Sequence, residues 1–183
     1  MRQFNFIDDI KGMSVEDFFN NCVDGSKFNG IIEHYYDDDF NAECLTISIS
    51  EFINNDRVKE TIIANSGDRV NLMMCEDDEY YWYEFMRVNE GSPITYHPST
   101  PITDVFDAYI KEEIKDVERV IEDLRELISQ SEDYGNGYYR LDCNSCPDEY
   151  SIITNLGGYY GIDYDDVPYS QYIDIYREEE NND

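Results

Sequence analysis

The sequence is poor in basic residues: 13 Lys and Arg stand against 42 Asp and Glu, which gives a formal net charge of −29. A chain with this balance repels nucleic acid and anionic membrane surfaces and attracts basic clefts. Long hydrophobic runs are also missing, since no apolar stretch approaches the ~18 residues that a membrane span needs. The first nine residues carry charges where a secretory signal would have its apolar segment. We therefore expect a cytoplasmic protein that binds neither nucleic acid nor membrane directly.

Histidine is scarce, and the common catalytic motifs are missing. The chain has two histidines, His34 and His97, and neither lies in a recognisable motif. It contains no phosphate-binding P-loop, no dinucleotide fingerprint, and neither the H-E-x-x-H nor the G-x-S-x-G pattern. A nuclease must also let its substrate approach, which a net charge of −29 opposes. We expect a protein that is not an enzyme and that needs no cofactor.

Complete metal-binding motifs are missing too. Cys143 and Cys146 form half of a zinc site, but a second pair of ligands at suitable spacing is absent from the sequence. Asp163 and Asp174 have the spacing of the first and last ligands of a calcium loop, yet Pro168 stands where that loop needs glycine. Five cysteines cannot form a complete set of disulfides, so we expect free thiols in a reducing compartment. The prediction is that the protein holds no metal ion.

Aromatic and β-branched residues are abundant, which argues against disorder despite the charge. The chain has 17 Tyr, nine Phe, one Trp and twenty Ile, enough to bury a large apolar area. A halophilic protein is one alternative explanation of the acidic surface. The presence of only three Ala beside fifteen Asn indicates an AT-rich genome, which is not typical of halophiles.

The clearest element is a long amphipathic helix over about 104–129. Apolar residues from Val105 to Ile128 recur at spacings of three and four, so they lie along one stripe of a helix. Thr103 is predicted as its N-cap, and Asp104 suits the positive end of the helix dipole. The pattern predicts an α+β fold in which a mainly antiparallel sheet packs against this helix. We expect one acidic domain over 1–183, with a boundary near 100 or 132 as the alternative.

Shorter elements follow from local patterns. Ser14 and Asp17 predict a capped helix, and the segment 52–65 favours a helix over a strand. Asn136 and Gly137 mark a tight turn. The predicted strands are 31–36, 44–49, 69–75, 80–88, 138–141, 150–154 and 172–176.

The excess negative charge is concentrated in three stretches that contain almost no basic residue. Seven acids lie between Lys27 and Arg57, five between Arg69 and Arg87, and eleven from Leu141 onward, where Arg177 is the only base. The outer face of the long helix mixes both signs, as solvated helices do. The three stretches either point in different directions or converge into a charged ridge, and convergence is the functional hypothesis. The predicted partner-binding residues are Asp37, Asp38, Asp39, Glu76, Asp77, Asp78, Glu79, Asp163, Asp165, Asp166, Glu178 and Glu179.

Tyrosines lie among these acids, as Tyr35, Tyr80 and Tyr164 show. A groove that binds nucleic acid presents Lys and Arg to the phosphates and often aromatic contacts to sugars and bases. In such a groove, carboxylates could pair with the Lys and Arg side chains, and phenol rings beside them could take the place of sugars and bases. The 29 charges equal those on about 49 Å of duplex, a length comparable with the diameter of about 40 Å expected for a compact chain of this size.

In composition the chain resembles the DNA-mimic inhibitors of phages and mobile elements, which include anti-restriction proteins of the ArdA kind and several anti-CRISPR proteins. The resemblance is carried by the runs 37–39 and 76–79 and by the acidic C-terminal region. It implies an inhibitor that occupies the DNA- or PAM-binding channel of a CRISPR-Cas nuclease or another DNA-binding defence enzyme. Two alternatives stay open. One is an acidic host protein that regulates a basic partner, and the other is a metal-dependent enzyme built on three converging carboxylates.

Overall fold

The computed structural model describes residues 6–24, 28, 31–65, 67–88 and 92–178. The chain divides into two compact units, of which the first comprises 1–55 and 68–110 and the second comprises 56–67 and 111–183. The boundary after Ile110 falls inside a helix. The single domain predicted for 1–183, and the alternative boundary near 100 or 132, stay predictions, since two compact units can still unfold in one cooperative step.

The first unit is built around a five-stranded antiparallel meander in the order β1-β2-β3-β4-β5. Its strands are β1 (Ile32–Asp37), β2 (Ala42–Ser48), β3 (Arg69–Glu76), β4 (Tyr81–Arg87) and β5 (Ile94–Tyr96). Two helices precede them, α1 (Phe6–Ile10) and α2 (Val15–Val23), and a 3₁₀ turn over Ile49–Phe52 follows β2. The predicted strands 31–36, 44–49, 69–75 and 80–88 are confirmed within one or two residues at each end.

Helix α2 begins where the sequence predicted. The Ser14 hydroxyl accepts a hydrogen bond from the Asp17 amide at 3.0 Å, and the Asp17 carboxylate accepts one from the Ser14 amide at 3.2 Å. This reciprocal pair is a complete capping box with Asp in place of the usual Glu.

One face of the five-stranded sheet forms the core of the first unit. Side chains alternate along β4, so Tyr83 and Phe85 are buried on this face. The Phe85 ring lies 6.0 Å from that of Phe106 and 5.6 Å from that of Tyr109, two residues in the first turns of the long helix. Each fully buried Phe contributes about 1.5–3 kcal/mol of hydrophobic stabilisation.

The second unit contains a three-stranded antiparallel sheet in the order β6-β8-β7. Its elements are α3 (Asp56–Ala64), most of α4 (Ile102–Asp133), β6 (Tyr139–Asp142), α5 (Pro147–Leu156), a 3₁₀ turn (Gly157–Tyr160), β7 (Ile162–Asp166) and β8 (Tyr172–Arg177). The helix predicted within 52–65 and the strands predicted over 138–141 and 172–176 are confirmed. The turn predicted at Asn136 and Gly137 lies instead at Tyr134 and Gly135, where α4 ends, and Gly137 follows it as a bend.

Helix α4 confirms the long amphipathic helix and extends it at both ends, to Ile102 and Asp133. Val117, Ile121, Leu124 and Ile128 are buried against the three-stranded sheet and α5, whereas Ile114 on the same stripe is half-buried. The N-cap assignment to Thr103 was wrong, since Ile102 is already helical.

The strand predicted over 150–154 was also wrong, because these residues lie inside α5. Its β-branched residues favour a strand locally, but Pro147 occupies the first turn, where its missing N–H costs nothing. Ile152, Ile153 and Leu156 then fall on one buried helical face. None of the helices described is long and apolar enough to cross a membrane.

Candidate functional site

The two acidic turns of the five-stranded sheet lie at the same end of that sheet. Strands β1 and β3 both run toward this end, and each returns through an acidic turn into β2 and β4. Asp37 pairs with Ala42, Glu43 pairs with Met74 and Glu76 pairs with Tyr81, so the turns begin within about one residue of each other along the strands. Their centres are two strand spacings apart, which is about 10 Å. We call these residues, 37–39 and 76–79, the acidic end.

Both turns are built in the same way, by an aspartate that caps its own turn. The Asp37 carboxylate accepts hydrogen bonds from the amides of Asp39 and Phe40, at 3.0 and 3.2 Å. The Asp77 carboxylate accepts them from Glu79 and Tyr80, at 2.8 and 2.9 Å. These are Asx turns, in which a side chain takes the place of a backbone acceptor. Asp37 and Asp77 therefore hold the backbone of the acidic end.

The remaining acids of the acidic end project into solvent. Asp38, Asp39, Glu76, Asp78 and Glu79 are exposed, and no cation within the described residues forms an ion pair with them. Other carboxylates of the sheet have partners. Glu33 pairs with Arg69 at 2.7 Å, Glu43 contacts the His34 ring, and Glu84 accepts a hydrogen bond from the Trp82 indole at 3.0 Å. The acidic end thus groups exposed carboxylates without a cation partner at one end of the sheet.

Exposed aromatic rings accompany these carboxylates. Phe40 is 67% exposed and Tyr80 is 61% exposed, and both lie in the acidic turns. The Tyr80 ring lies 5.3 Å from that of Trp82, while Tyr36 donates a hydrogen bond to Asn41 at 2.7 Å. The sequence reasoning missed Phe40, although its place directly after three aspartates could have indicated a turn position.

The face of this sheet opposite the aromatic core carries a small sulfur-rich cluster. Ala42, Cys44 and Met73 are buried there, with Cys75 and Met86 packed against them. Burial raises the pKa of both the Cys44 and Cys75 thiols to about 11. They therefore stay protonated at neutral pH, and a protonated thiol is neither a nucleophile nor a good metal ligand.

The third group of predicted contact residues lies in the second unit. Asp163, Asp165 and Asp166 are exposed on β7, and Glu178 is exposed just after β8. Glu179 lies outside the described residues. The structure thus brings together two of the three predicted groups within the first unit, and the third group belongs to the second unit.

No described group of three or more His, Cys, Asp and Glu side chains is arranged to hold a metal ion. Asp163 and Asp165 lie on an extended strand rather than in a calcium-binding loop, and Asp174 is bound bidentately by Arg140 at 2.7 and 2.8 Å. Cys143 and Cys146 are free thiols, and burial raises the pKa of each.

Comparison with models of protein families, with curated proteins and with solved structures finds no match to this chain. The acidic end, by its geometry and charge, is therefore the feature of the molecule that indicates a function.

Proposed function

We propose that the protein is an inhibitor that mimics nucleic acid, and that its acidic end docks into the basic groove of a protein that normally holds DNA. A CRISPR-Cas nuclease or another DNA-binding defence enzyme is the target class that the composition favours. Docking excludes DNA because both ligands need the same Lys and Arg side chains. A cytoplasmic location, where such targets act, is part of this proposal.

The observation that carries the proposal is the placement of two acidic turns side by side. They bring seven carboxylates to one end of the sheet, with turn centres about 10 Å apart. The same length of duplex carries about six phosphates. The acidic end therefore offers a charge density close to that of DNA on a backbone held by Asx turns. Phe40 and Tyr80 add exposed rings where a nucleic acid would present sugars and bases.

A competition experiment tests the proposal. A labelled duplex bound to a candidate nuclease is titrated with this protein at about 50 and 200 mM salt. We expect displacement of the duplex. The affinity of the protein itself for the nuclease should fall steeply at the higher salt, because salt screens the charges and association releases counterions held by the two surfaces that meet. If the protein and the duplex bind together without affecting each other on every candidate, mimicry is wrong. Binding of a basic partner without competition would instead favour the regulator of a basic protein.

The structure supplies a matched pair of variants for this experiment. Asp38, Asp39, Asp78 and Glu79 are neutralised together to Asn and Gln, and Asp37 and Asp77 are left intact to preserve the turns. We expect affinity to fall at least about tenfold.

The control variant removes the same number of charges from the exposed face of α4. Its changes are Glu112→Gln, Glu118→Gln, Asp123→Asn and Glu126→Gln. If the control loses as much affinity as the variant of the acidic end, net charge rather than the acidic end governs binding.

A further inference from the structure

Strand β1 is an edge strand of the five-stranded sheet, and one side of its backbone has no partner strand. The Ser48 amide donates to the Ile31 carbonyl at 3.3 Å, which fixes how the hydrogen bonds alternate between β1 and β2. The bonds to β2 therefore use residues 33, 35 and 37, and the backbone groups of His34 and Tyr36 point away from the sheet. Within the described part of the chain, no backbone group bonds to these two amides or their carbonyls.

The usual protections of an edge strand are missing from β1. Proteins shorten an exposed edge, interrupt it with a bulge, or place lysine or proline on it. Strand β1 pairs with β2 over six consecutive residues without a bulge, and none of the six is Lys or Pro. The other edge strand of this sheet, β5, is only three residues long. The longer edge of the sheet is thus the one that stays open to pairing.

The side chains of β1 leave this edge accessible. Four consecutive residues, 33–36, are exposed, and the exposed fraction is 38% for Tyr35 and 50% for Tyr36. In a sheet, the side chains of an added strand lie directly beside those of the strand with which it pairs. A strand added here would therefore cover part of both rings.

Charge decides against a second copy of this chain as that strand. An antiparallel pair of β1 strands that uses both open residues places Glu33 of each copy opposite Asp37 of the other. Like charges directly opposite each other destabilise a sheet, and each copy carries a net charge of −29.

The same charges favour a basic strand. Glu33 and Asp37 lie on one face of β1 with Tyr35 between them, and the carboxylates of 38–39 follow. Arg69 pairs with Glu33 but leaves its side chain 69% exposed, so Glu33 can accept a second cation. Lys or Arg opposite Glu33 and Asp37 would be attracted, and an arginine opposite Tyr35 would stack on its ring.

We propose that β1 accepts an extended, basic segment of a protein partner as a sixth strand, bonded to the main-chain groups of His34 and Tyr36. The backbone hydrogen bonds hold the segment, and its Lys and Arg side chains opposite the acids of β1 provide selectivity. This inference goes beyond the proposed function, because it uses the backbone of β1 instead of the exposed carboxylates of the acidic end. It also holds for a partner that binds no nucleic acid.

The probe is the capped peptide Thr-Lys-Val-Arg-Val-Lys-Thr. Paired antiparallel with β1, it places its arginine opposite Tyr35, its lysines opposite Glu33 and Asp37, and its valines opposite His34 and Tyr36. The backbone groups of the valines then bond to β1, and those of the arginine and lysines face solvent. A second peptide carries Glu in place of each Lys and Arg.

Amide hydrogen exchange, followed by NMR on the full chain at about 150 mM salt, tests the pairing. In the free protein the Glu33 and Tyr35 amides, which bond to β2, should exchange slowly, and those of His34 and Tyr36 quickly. The basic peptide should slow exchange of His34 and Tyr36 at least about tenfold, and the Glu peptide should leave it unchanged.

Three results of this experiment would overturn the proposal. One is unchanged exchange of His34 and Tyr36 at about 1 mM basic peptide. Another is equal protection by the basic and the Glu peptide. The third is slow exchange of both amides without peptide, together with a dimer in sedimentation, because the occupant would then be a second copy.

N-methylated peptides separate strand addition from charge attraction, because a methyl group removes a backbone donor and leaves the charge unchanged. Methylation of both valine amides should weaken binding at least about tenfold, since two hydrogen bonds are lost. Methylation of the arginine amide and one lysine amide, which face solvent, should change it less than about twofold. Equal effects of the two pairs of methyl groups would refute pairing with β1.

Tyr36→Pro and Tyr36→Val form a matched pair of protein variants. Both remove the ring and the hydroxyl that donates to Asn41, but only proline removes the outward amide. That amide takes no part in the bonds to β2, so the sheet should persist in both variants, which circular dichroism checks. Peptide binding should be at least about threefold weaker in Tyr36→Pro than in Tyr36→Val, and equal binding would contradict the proposal.

The two proposals can fail separately. Both variants keep every carboxylate of the acidic end, and the peptides contain no nucleic-acid-binding protein. Failure of the peptide experiments therefore leaves the competition experiment with duplex unaffected, and the converse also holds.

Discussion

Asn65, the residue after α3, and Glu113 of α4 form a buried polar pair, and replacing one nitrogen atom by oxygen measures its strength. The Asn65 amide nitrogen donates to the Glu113 carboxylate at 2.6 Å, and the two residues are 8% and 1% exposed. Asn65→Asp keeps the shape of the side chain and replaces this donor with a second carboxylate. We expect a large loss of stability that depends on pH.

Two costs compete in this variant. Two unit charges 2.6 Å apart repel by about 6 kcal/mol at an effective dielectric constant of about 20. Holding one carboxyl protonated at pH 7 costs about 4 kcal/mol, because its unfolded pKa is about 4 and each pH unit is worth about 1.36 kcal/mol. Protonating one carboxyl costs less than leaving both charged, so we expect the two carboxyls of the variant to share one proton at pH 7. The expected loss of folding stability is therefore about 4 kcal/mol.

The sign of the pH dependence follows from this proton. In the variant the folded state binds a proton that the unfolded state has released, so stability falls as pH rises above the unfolded pKa. Between pH 7 and pH 5.5 the variant should regain about 2 kcal/mol relative to the native chain. This pH range lies above the pI of about 4.1, so the protein keeps a net negative charge throughout it.

Urea unfolding followed by circular dichroism measures the loss of stability at pH 7 and its change between pH 7 and pH 5.5. Asn136→Asp makes the same chemical change at an exposed position of the same unit and corrects for the added net charge. A loss below about 1 kcal/mol at pH 7, or the same pH dependence in both variants, would refute a buried contact between Asn65 and Glu113.

Three further predictions use single positions. Gly157→Ala places a Cβ 2.6 Å from the Ile162 carbonyl oxygen and should cost about 1–3 kcal/mol, whereas Gly158→Ala meets nothing within 4 Å and should change the melting temperature little. Ser14→Ala removes the capping box and should cost about 1 kcal/mol in urea unfolding. Burial raises the pKa of Cys44 from 9.0 to about 11, so alkylation at pH 8 should be about a hundredfold slower than for an ordinary thiol and should recover in urea. Fast alkylation in the folded state would contradict that burial.

The sequence was most informative where one physical signal dominated a segment. The stripe from Val105 to Ile128 predicted α4 because helical spacing is maintained over seven turns. Ser14 and Asp17 predicted the start of α2 because a capping box is a local device. The segment Tyr150–Thr154 failed because local β propensity competed with a buried helical face, and the tertiary contacts of Ile152 and Ile153 decided the outcome.

The candidate sites were harder to predict because they depend on register. The sequence marked the runs 37–39 and 76–79 as acidic turns, but only the pairing of β2 with β3 shows that they are neighbours. Nor could composition separate the carboxylates that hold the turns, Asp37 and Asp77, from those that project into solvent.

The placement of α3 limits how this chain can be divided. The chain passes from the first unit to the second after Asn55, returns after Gly67 and passes again after Ile110. Ala64 of α3 is fully buried in the same core as Val117 and Leu156. A fragment that starts at Lys111 lacks α3, so part of that core would be exposed to water. A fragment that ends at Ile110 keeps α3 but lacks the core against which its apolar face packs. No single cut, by a protease or by recombination between genes, can yield both units whole.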